Sequence, residues 1–218
     1  MNKAKIHATY RTADGTRVPS VTTVLHELAK PALIHWAWGL GIKGIDYRVY
    51  RDELADVGTL AHSLIMAHLK KETPSLDDYS QNQIDLAENS FLKFLEWERQ
   101  HSLEPIALER PMVSEIFKFG GTPDYFGLVD GILTILDFKT GKEIYEDYWY
   151  QIGGYDILVK ETFSIEEIAG YRILNIGRDE SENFEEKQKL SVSRERDLFL
   201  AALRIYELKK EIRNECRA

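Results

Sequence analysis

The chain has 218 residues, of which 44% are hydrophobic and 29% are charged. This composition supports a buried core and excludes a chain dominated by disorder, coiled coil or collagen-like repeats. The net charge of −8 opposes nonspecific binding to nucleic acid over the whole surface, although it leaves room for a local basic groove. A lone cysteine, Cys216, excludes an internal disulfide and any cysteine-ligated zinc or iron–sulfur cluster.

No apolar run approaches the roughly 20 residues that a membrane span needs. The sequence turns polar at Thr9 to Thr12, which leaves no hydrophobic region for a secretory signal. We therefore expect a cytoplasmic protein with no membrane partner, of bacterial or phage origin.

The first third of the chain is predicted to be helical after a short hairpin. Asp14-Gly15 is typical of the hairpin turn, and Ser20 is placed to cap a helix that runs to Leu28. Pro31 begins an aromatic helix, in which we expect Trp36 to lie in the core. Gly58-Thr59 marks the entry to a third helix.

The rest of the chain mixes helices and strands. After a polar loop at residues 73–80, helical spacing covers 84–100 and returns at 147–160. Asp130-Gly131 predicts a tight hairpin between two of the strands. The predicted strands are Ile106–Leu108, Met112-Val113, Ile116-Phe117, Tyr125–Val129, Ile132–Phe138, Ala169–Ile176 and Phe184–Leu190.

A final helix begins after these strands, with Ser193 as its expected cap. Its predicted apolar face comprises Leu198, Ala201, Ala202, Ile205, Leu208 and Ile212. The element order predicts an α/β (α+β) fold, in which helices flank both faces of a mixed central sheet beside an N-terminal helical lobe. We divide the chain into that lobe, residues 1–80, and a core, residues 81–218, within one compact unit.

Two carboxylates occupy adjacent strands of the predicted meander. Asp124 precedes one strand, and Asp137 lies near the end of the next. Because a hairpin reverses the chain, both can reach the same end of the sheet. Two carboxylates in a small space repel unless a cation lies between them, and a hard divalent cation such as Mg²⁺ accepts their oxygens as ligands.

Lys139 follows Asp137 by two residues, which places both on one face of the strand. A lysine beside a cation can orient water and offset charge on a phosphoryl group, so this set of side chains suits phosphodiester hydrolysis. Taken singly, Asp124 is also typical of a structural turn residue, and Asp137 with Lys139 is typical of a solvated strand face.

These residues resemble the signature of the PD-(D/E)xK nucleases, and more narrowly that of the RecB-like exonuclease branch. Gly121 to Asp124 matches Gly-x-x-Asp, and Asp137 to Gly141 matches Asp-x-Lys-Thr-Gly. Gln151 to Tyr155 matches Gln-x-x-x-Tyr on the following helix, and His62 matches an upstream helical histidine. Each motif is weak alone, whereas four in this order are a specific signal.

The resemblance implies a restriction-endonuclease-like fold whose nuclease core is residues 81–218. It implies that Mg²⁺ or Mn²⁺ is held by His62, Asp124, Asp137 and the main-chain carbonyl of Phe138, and that Lys139 assists the attacking water. Gln151 and Tyr155 would order Lys139 and the DNA backbone. The expected catalytic residues are Asp124, Asp137, Lys139, Gln151 and Tyr155.

The implied partner is DNA, single- or double-stranded, contacted by Tyr148 and Thr140 and entered from its ends. The implied activity is that of a metal-dependent deoxyribonuclease, an exonuclease in recombination, repair or phage DNA processing. The lone cysteine excludes the iron–sulfur versions of the family, and no Walker A loop is present.

Several alternatives stay open at this stage. A catalytically silent nucleic-acid-binding module on a nuclease fold, or a hydrolase of another phosphoester, would carry the same fold. A homo-oligomer and a recombination partner protein are both compatible with the sequence. Basic residues near the C-terminus fit either a solvated helix or a phosphate-binding edge.

Overall fold

The structure is a computed structural model that describes residues 8–216. The expectation of no secretory signal rests in part on residues 1–7, which lie outside the described residues. The helices are α1 (Val21–Leu25), α2 (Pro31–Ile42), α3 (Tyr47–Lys70), α4 (Gln81–Glu98), α5 (Glu146–Phe163) and α6 (Ser193–Glu215). The strands are β1 (Leu103–Leu108), β2 (Met112–Ser114), β3 (Phe119–Gly121), β4 (Tyr125–Val129), β5 (Ile132–Lys139), β6 (Gly170–Asn175) and β7 (Glu185–Lys189).

The central sheet has five strands in the order β1-β4-β5-β6-β7. Strands β5 and β6 are parallel and joined by α5, whereas the other neighbours are antiparallel. The expected mixed sheet with helices on both faces is therefore confirmed. Strands β2 and β3 form a separate hairpin that packs on α5, so the predicted continuous meander is wrong in this part.

Alternation along β5 separates two cores. Leu136 and Phe138 point toward α3 and α4, where they join Phe94 in one buried cluster. Ile135 points to the opposite face and joins a cluster formed with α1, α5 and α6. Because side chains alternate along a strand, Asp137 shares the face of Ile135 and points toward α5.

Local chemistry fixes two element boundaries. The predicted Asp-Gly hairpin is confirmed, whereas α4 begins at Gln81, three residues before its predicted start. Helix α4 begins with a capping box, in which Ser80 accepts from the backbone of Gln83 and the Gln83 side chain accepts from the backbone of Ser80. The turn between β4 and β5 has positive φ at Asp130 (53°) and Gly131 (77°), as an Asp-Gly hairpin requires.

Several boundary predictions are wrong. Helix α3 begins at Tyr47, after an Asp46 cap, so Gly58 lies inside the helix rather than at its entry. Helix α1 ends at Leu25 rather than Leu28. The segment Ile116-Phe117 is the turn between β2 and β3, where the Phe117 amide donates to the Ser114 hydroxyl at 2.8 Å.

The predicted burial of two helices also needs correction. The N-cap position of helix α6 is Val192 rather than Ser193, and the helix buries Phe199, Ala202 and Leu203, of which only Ala202 belongs to the predicted face. The ring of Phe199 packs 4.7 Å from that of Phe119, which sets this rotation of the helix. Helix α2 has no buried residue, and Trp36 is exposed rather than in the core.

None of the helices in the described part of the chain is both long and apolar enough to span a bilayer. The division at residue 80 stays a prediction. Helix α1 packs on α5 and α6, and α3 packs on α4, so elements from before residue 80 contact elements from after it.

Candidate active site

The β4–β5 hairpin brings the two candidate carboxylates together. Tyr125 pairs with Leu136, and continuing that register by one residue sets Asp124 opposite Asp137. The Oδ2 atom of Asp124 accepts a hydrogen bond from the Phe138 amide at 2.8 Å. Both acids therefore lie at one end of the sheet, on the face toward α5.

Asp137 is a buried carboxylate with little compensation. Its side chain is 1% exposed, and the Nζ of Lys139 lies 2.5 Å from its Oδ2. Apart from this ion pair, neither carboxylate oxygen has a hydrogen-bond partner among the described residues. Burial raises the pKa of Asp137 to about 6, with the charge of Lys139 opposing the rise and that of Asp124 adding to it.

Helix α3 brings His62 to the first acid. The Nδ1 of His62 lies 3.5 Å from Oδ1 of Asp124. Burial is the largest effect and lowers the pKa of His62, but the charge of Asp124 and the hydrogen bond to it, together with the charge of Asp137, more than offset burial, and the net change is upward. The interaction also changes the pKa of Asp124. Burial raises this pKa and the charge of His62 lowers it, and the net change is downward. The pair is therefore favoured as imidazolium and carboxylate.

Gly58 explains how α3 comes so close. A Cβ at Gly58 would lie 2.7 Å from the Oγ1 of Thr140, the residue that follows β5. Only glycine permits this approach without a shift of Thr140, and His62 follows one turn later on the helix. The glycine that resembles a helix entry in the sequence is instead a contact point between α3 and the end of β5.

Helix α5 supplies the support for Lys139. The Nζ of Lys139 donates to Oε1 of Gln151 at 3.0 Å, and Nε2 of Gln151 donates to the Tyr155 hydroxyl at 2.6 Å. Gln151 and Tyr155 are one turn apart, so one face of α5 presents both. Burial and the charge of Asp137 raise the pKa of Tyr155 well above its usual value, so its hydroxyl keeps its proton.

The two candidate DNA contacts flank Lys139. The Nζ of Lys139 lies 5.1 Å from the ring centre of Tyr148, a cation–π distance. Thr140 lines a cleft of about 520 Å³, together with His62 and Asp124. Tyr148 is half-buried against the lysine.

The donor set suits a hard divalent cation. The oxygens of Asp137, which accept no hydrogen bond from the described residues, and the Oδ1 of Asp124 are anionic oxygen ligands, and His62 adds a nitrogen when its imidazole is neutral. Mg²⁺ takes one or two carboxylates and keeps several waters, so it needs no complete protein cage. Within residues 8–216, no group of three or more His, Cys, Asp or Glu side chains is already arranged around a cation position.

One cleft residue is absent from the sequence interpretation. Arg178, which follows β6, lines the cleft and is only 8% exposed. The parallel pairing of β5 with β6 brings the ends of both strands to one edge of the sheet. This parallel pairing is the feature from which the position of Arg178 could be predicted.

Other charged side chains have local partners. Glu109 lines the cleft, but its Oε2 lies 3.2 Å from the Nζ of Lys70. The C-terminal basic residues that pair with acids are Lys187, Lys189, Arg196, Arg204 and Lys209. These pairs favour the solvated interpretation of that region over a phosphate-binding edge.

No family model matches this sequence, and a comparison with curated proteins gives no match either. Among solved structures, the chain is similar to an alkaline exonuclease, LHK-Exo, from Laribacter hongkongensis, at 14% identity and a TM-score of 0.36, over 76% of this chain and 92% of that one. LHK-Exo in complex with dAMP matches over the same shares at 14% identity and a TM-score of 0.35. The protein SSO0001 matches at 15% identity and a TM-score of 0.31, over 71% of this chain and 72% of that one. Similarity at this level carries no information about function, which depends on the residues of the site.

Proposed function

We propose that this chain is a divalent-cation-dependent nuclease of the RecB-like kind, which hydrolyses phosphodiester bonds in DNA. The observation that carries the proposal is the meeting of Asp124, Asp137 and Lys139 at one end of the sheet, with a buried carboxylate that has no hydrogen-bond partner within the described chain. Burying a carboxylate is unfavourable unless charge compensates it. Lys139 supplies part of that charge, and a bound cation would supply more.

The roles follow from the contacts. Asp124, Asp137 and the carbonyl of Phe138 would hold Mg²⁺ or Mn²⁺, with His62 as a further ligand. When bound, the cation supplies positive charge to the phosphoryl group and acidifies water. Lys139, fixed by Gln151, would orient the attacking water and offset charge on the phosphoryl oxygens.

The supporting residues keep that lysine in place. Tyr155 would act through Gln151 as a positioning residue. Tyr148 and Thr140 would contact the DNA backbone at the edge of the cleft. The finer assignment is an exonuclease that enters at DNA ends, in recombination, repair or phage DNA processing.

The test is digestion of end-labelled linear DNA and closed circular DNA with Mg²⁺ or Mn²⁺. Loss of linear DNA alone, abolished by EDTA and by Lys139→Ala, would support the exonuclease assignment. Lys118→Ala is the matched control, because Lys118 is an exposed lysine paired with Glu115. Cutting of circles would keep the chemistry and exclude the requirement for ends. Intact DNA and RNA under all conditions would overturn the proposal.

A catalytically silent nucleic-acid-binding module is the second candidate. The net charge of −8 favours it slightly over an active nuclease, whereas the intact Asp124, Asp137 and Lys139 oppose it. Titration calorimetry with Mn²⁺ separates this candidate from an active nuclease, because a site that has lost its catalytic function should bind no cation. Hydrolysis of another phosphoester is the third candidate, and a panel of nucleotide substrates would reveal it.

A further inference from the structure

We infer that Arg178 is a phosphate-binding residue, which anchors a backbone phosphate of the DNA next to the candidate catalytic carboxylates. The inference rests on the proposed function and deepens it, because it names the group that this wall of the cleft recognises.

The position of Arg178 follows from the sheet. Strands β5 and β6 run parallel, with Lys139 opposite Asn175 at their ends. The residues just beyond these ends, Thr140 and Arg178, both line the cleft that contains Asp124. Arg178 therefore faces the same space as the candidate ligands, from the loop that follows the strand next to the one that carries Lys139.

The guanidinium of Arg178 is held in one orientation. Its Nε donates to Oε2 of Glu182 at 2.8 Å, and its Nη2 pairs with Oε1 of the same carboxylate. The Arg178 amide also donates to Oε2, at 2.9 Å. Its Nη1 has no partner among residues 8–216. An arginine stays charged at any relevant pH, so Nη1 offers two N–H donors that suit phosphate oxygens.

The loop that carries Arg178 and Glu182 is held in place by its own close packing and by hydrogen bonds from α4. A Cβ at Gly177 would lie 2.0 Å from the Glu182 carbonyl oxygen, so the loop closes on itself tightly. From α4, Ser90 donates to the Gly177 carbonyl at 3.3 Å, and Lys93 donates to the Glu182 carbonyl at 2.7 Å. A donor on a fixed loop binds its ligand with little loss of conformational freedom.

Stability alone is a weak reason for this ion pair. Removing both charges from water is costly, and a well-packed apolar pair often serves a fold equally well. Among the described residues that line the cleft, Arg178 alone carries a permanent positive charge. In a chain of net charge −8, a cation in the cleft offsets part of the repulsion that a DNA strand would meet there.

Arg172 provides the matched control. It lies on β6, is 6% exposed, and pairs with Glu186 at 2.9 Å, so it is a buried arginine with a glutamate partner like Arg178. It does not line the cleft. A purely structural role would make the two arginines equivalent in DNA binding.

The experiment measures binding of a fluorescent oligonucleotide, single-stranded and duplex, to the metal-free protein by anisotropy. Arg178→Lys and Arg178→Gln should weaken binding roughly 10-fold to 100-fold, whereas Arg172→Lys should leave it within about 2-fold. The slope of log K against log salt should fall by about 0.7–0.9 in Arg178→Gln, which is one phosphate contact. Arg178→Lys should keep most of that slope while losing affinity, because it keeps the charge and loses the planar donors.

A second arm locates the phosphate. Oligonucleotides with one uncharged methylphosphonate linkage at successive positions are bound to wild type and to Arg178→Gln. At one position, the uncharged linkage should weaken binding to wild type and leave binding to Arg178→Gln unchanged. If Arg178→Gln does not fold, the same scan is run with Arg178→Lys, in which the loss of affinity at that linkage should be smaller than in wild type, because the lysine keeps the charge contact but not the planar donors.

The outcomes separate the two proposals. If the wild-type protein binds or cleaves DNA and the Arg178 variants bind it equally tightly, the inference is wrong and the proposed nuclease function still holds. Equal loss in the Arg178 and Arg172 variants would also overturn it, as a structural effect. Wild-type protein that neither binds nor cleaves DNA, with or without cation, would overturn the proposed function and with it the inference.

Discussion

The side chain of Asp124 accepts a hydrogen bond from the backbone amide of Phe138, the residue between Asp137 and Lys139. The candidate ligand on β4 is thereby tied to the chain segment that carries the other two candidate groups. Their relative positions depend on this bond as well as on the strand register. A substitution at Asp124 thus acts on both charge and geometry, and the two effects can be separated.

Asp124→Asn should remove activity and keep the fold. The amide oxygen of asparagine can still accept from the Phe138 amide, so the melting temperature should change little. Loss of the charge beside His62 should lower cleavage by at least about 100-fold, as expected for a lost cation ligand. Circular dichroism and the linear-DNA assay measure the two effects.

Asp124→Ala is the comparison for that prediction. It leaves a part-buried amide without its acceptor, which should cost a further 1–3 kcal/mol or so of unfolding free energy. An Asp124→Asn protein as active as wild type would exclude Asp124 from cation binding.

Gln151→Leu should slow the chemical step while leaving DNA binding unchanged. The substitution removes the acceptor at 3.0 Å that orients the Lys139 ammonium, and misplacement of a charge-stabilising group of this kind lowers the rate by about 10-fold to 100-fold. Single-turnover cleavage measures the step.

Tyr155→Phe should have a smaller effect of the same sign, because it acts on Lys139 only through Gln151. Gln188→Leu on β7 is the matched control, since Gln188 contacts Glu186 instead of a site residue. Unchanged cleavage by Gln151→Leu would exclude the positioning role.

Trp97 and Trp38 should differ sharply in their effect on stability. Trp97 is 5% exposed, and its Nε1 donates to Glu186 at 3.1 Å, so Trp97→Ala should lower the unfolding free energy by about 3–5 kcal/mol. Trp38 is 68% exposed, so Trp38→Ser should change it by less than about 0.5 kcal/mol. Urea denaturation measures both, and a large loss in Trp38→Ser would mean that α2 is covered in solution.

The sequence predicts those parts of the site that depend on short-range rules. Asp130-Gly131 specifies the hairpin, and period-two alternation then assigns Asp137 and Lys139 to one face. The buried position of Trp97 follows from its helical spacing. The same spacing misleads at Trp36, because a helix that is apolar all round carries no mark of which face is covered.

The errors arise where tertiary contacts decide. Gly58 resembles a helix entry in the sequence, but it lies inside α3, at the point where Thr140 approaches the helix closely. Arg178 carries no motif, and it reaches the cleft only through the parallel pairing of β5 with β6. Neither contact is encoded within a few residues of sequence, so no local pattern could predict it.

Asp137→Asn should stabilise the metal-free protein in a pH-dependent way. Burial raises the pKa of Asp137 from 3.8 to about 6, so the folded state disfavours the ionised form. A carboxyl whose pKa is higher in the folded state binds its proton more tightly there, and stability falls as the pH rises from below 4 to above 6. At pH 7 the neutral amide avoids this loss of about 1–3 kcal/mol, a net figure in which the charge of Lys139 already opposes the cost of burial.

Thermal unfolding in EDTA across this range measures the effect. The melting temperature of Asp137→Asn should match wild type near pH 4 and exceed it by a few degrees at pH 7. Adding Mn²⁺ at pH 7 should raise the melting temperature of wild type more than that of Asp137→Asn, because a ligand stabilises only the form that binds it. A variant less stable than wild type at both pH values would mean that the Lys139 contact outweighs desolvation, and that Asp137 is a structural ion-pair partner.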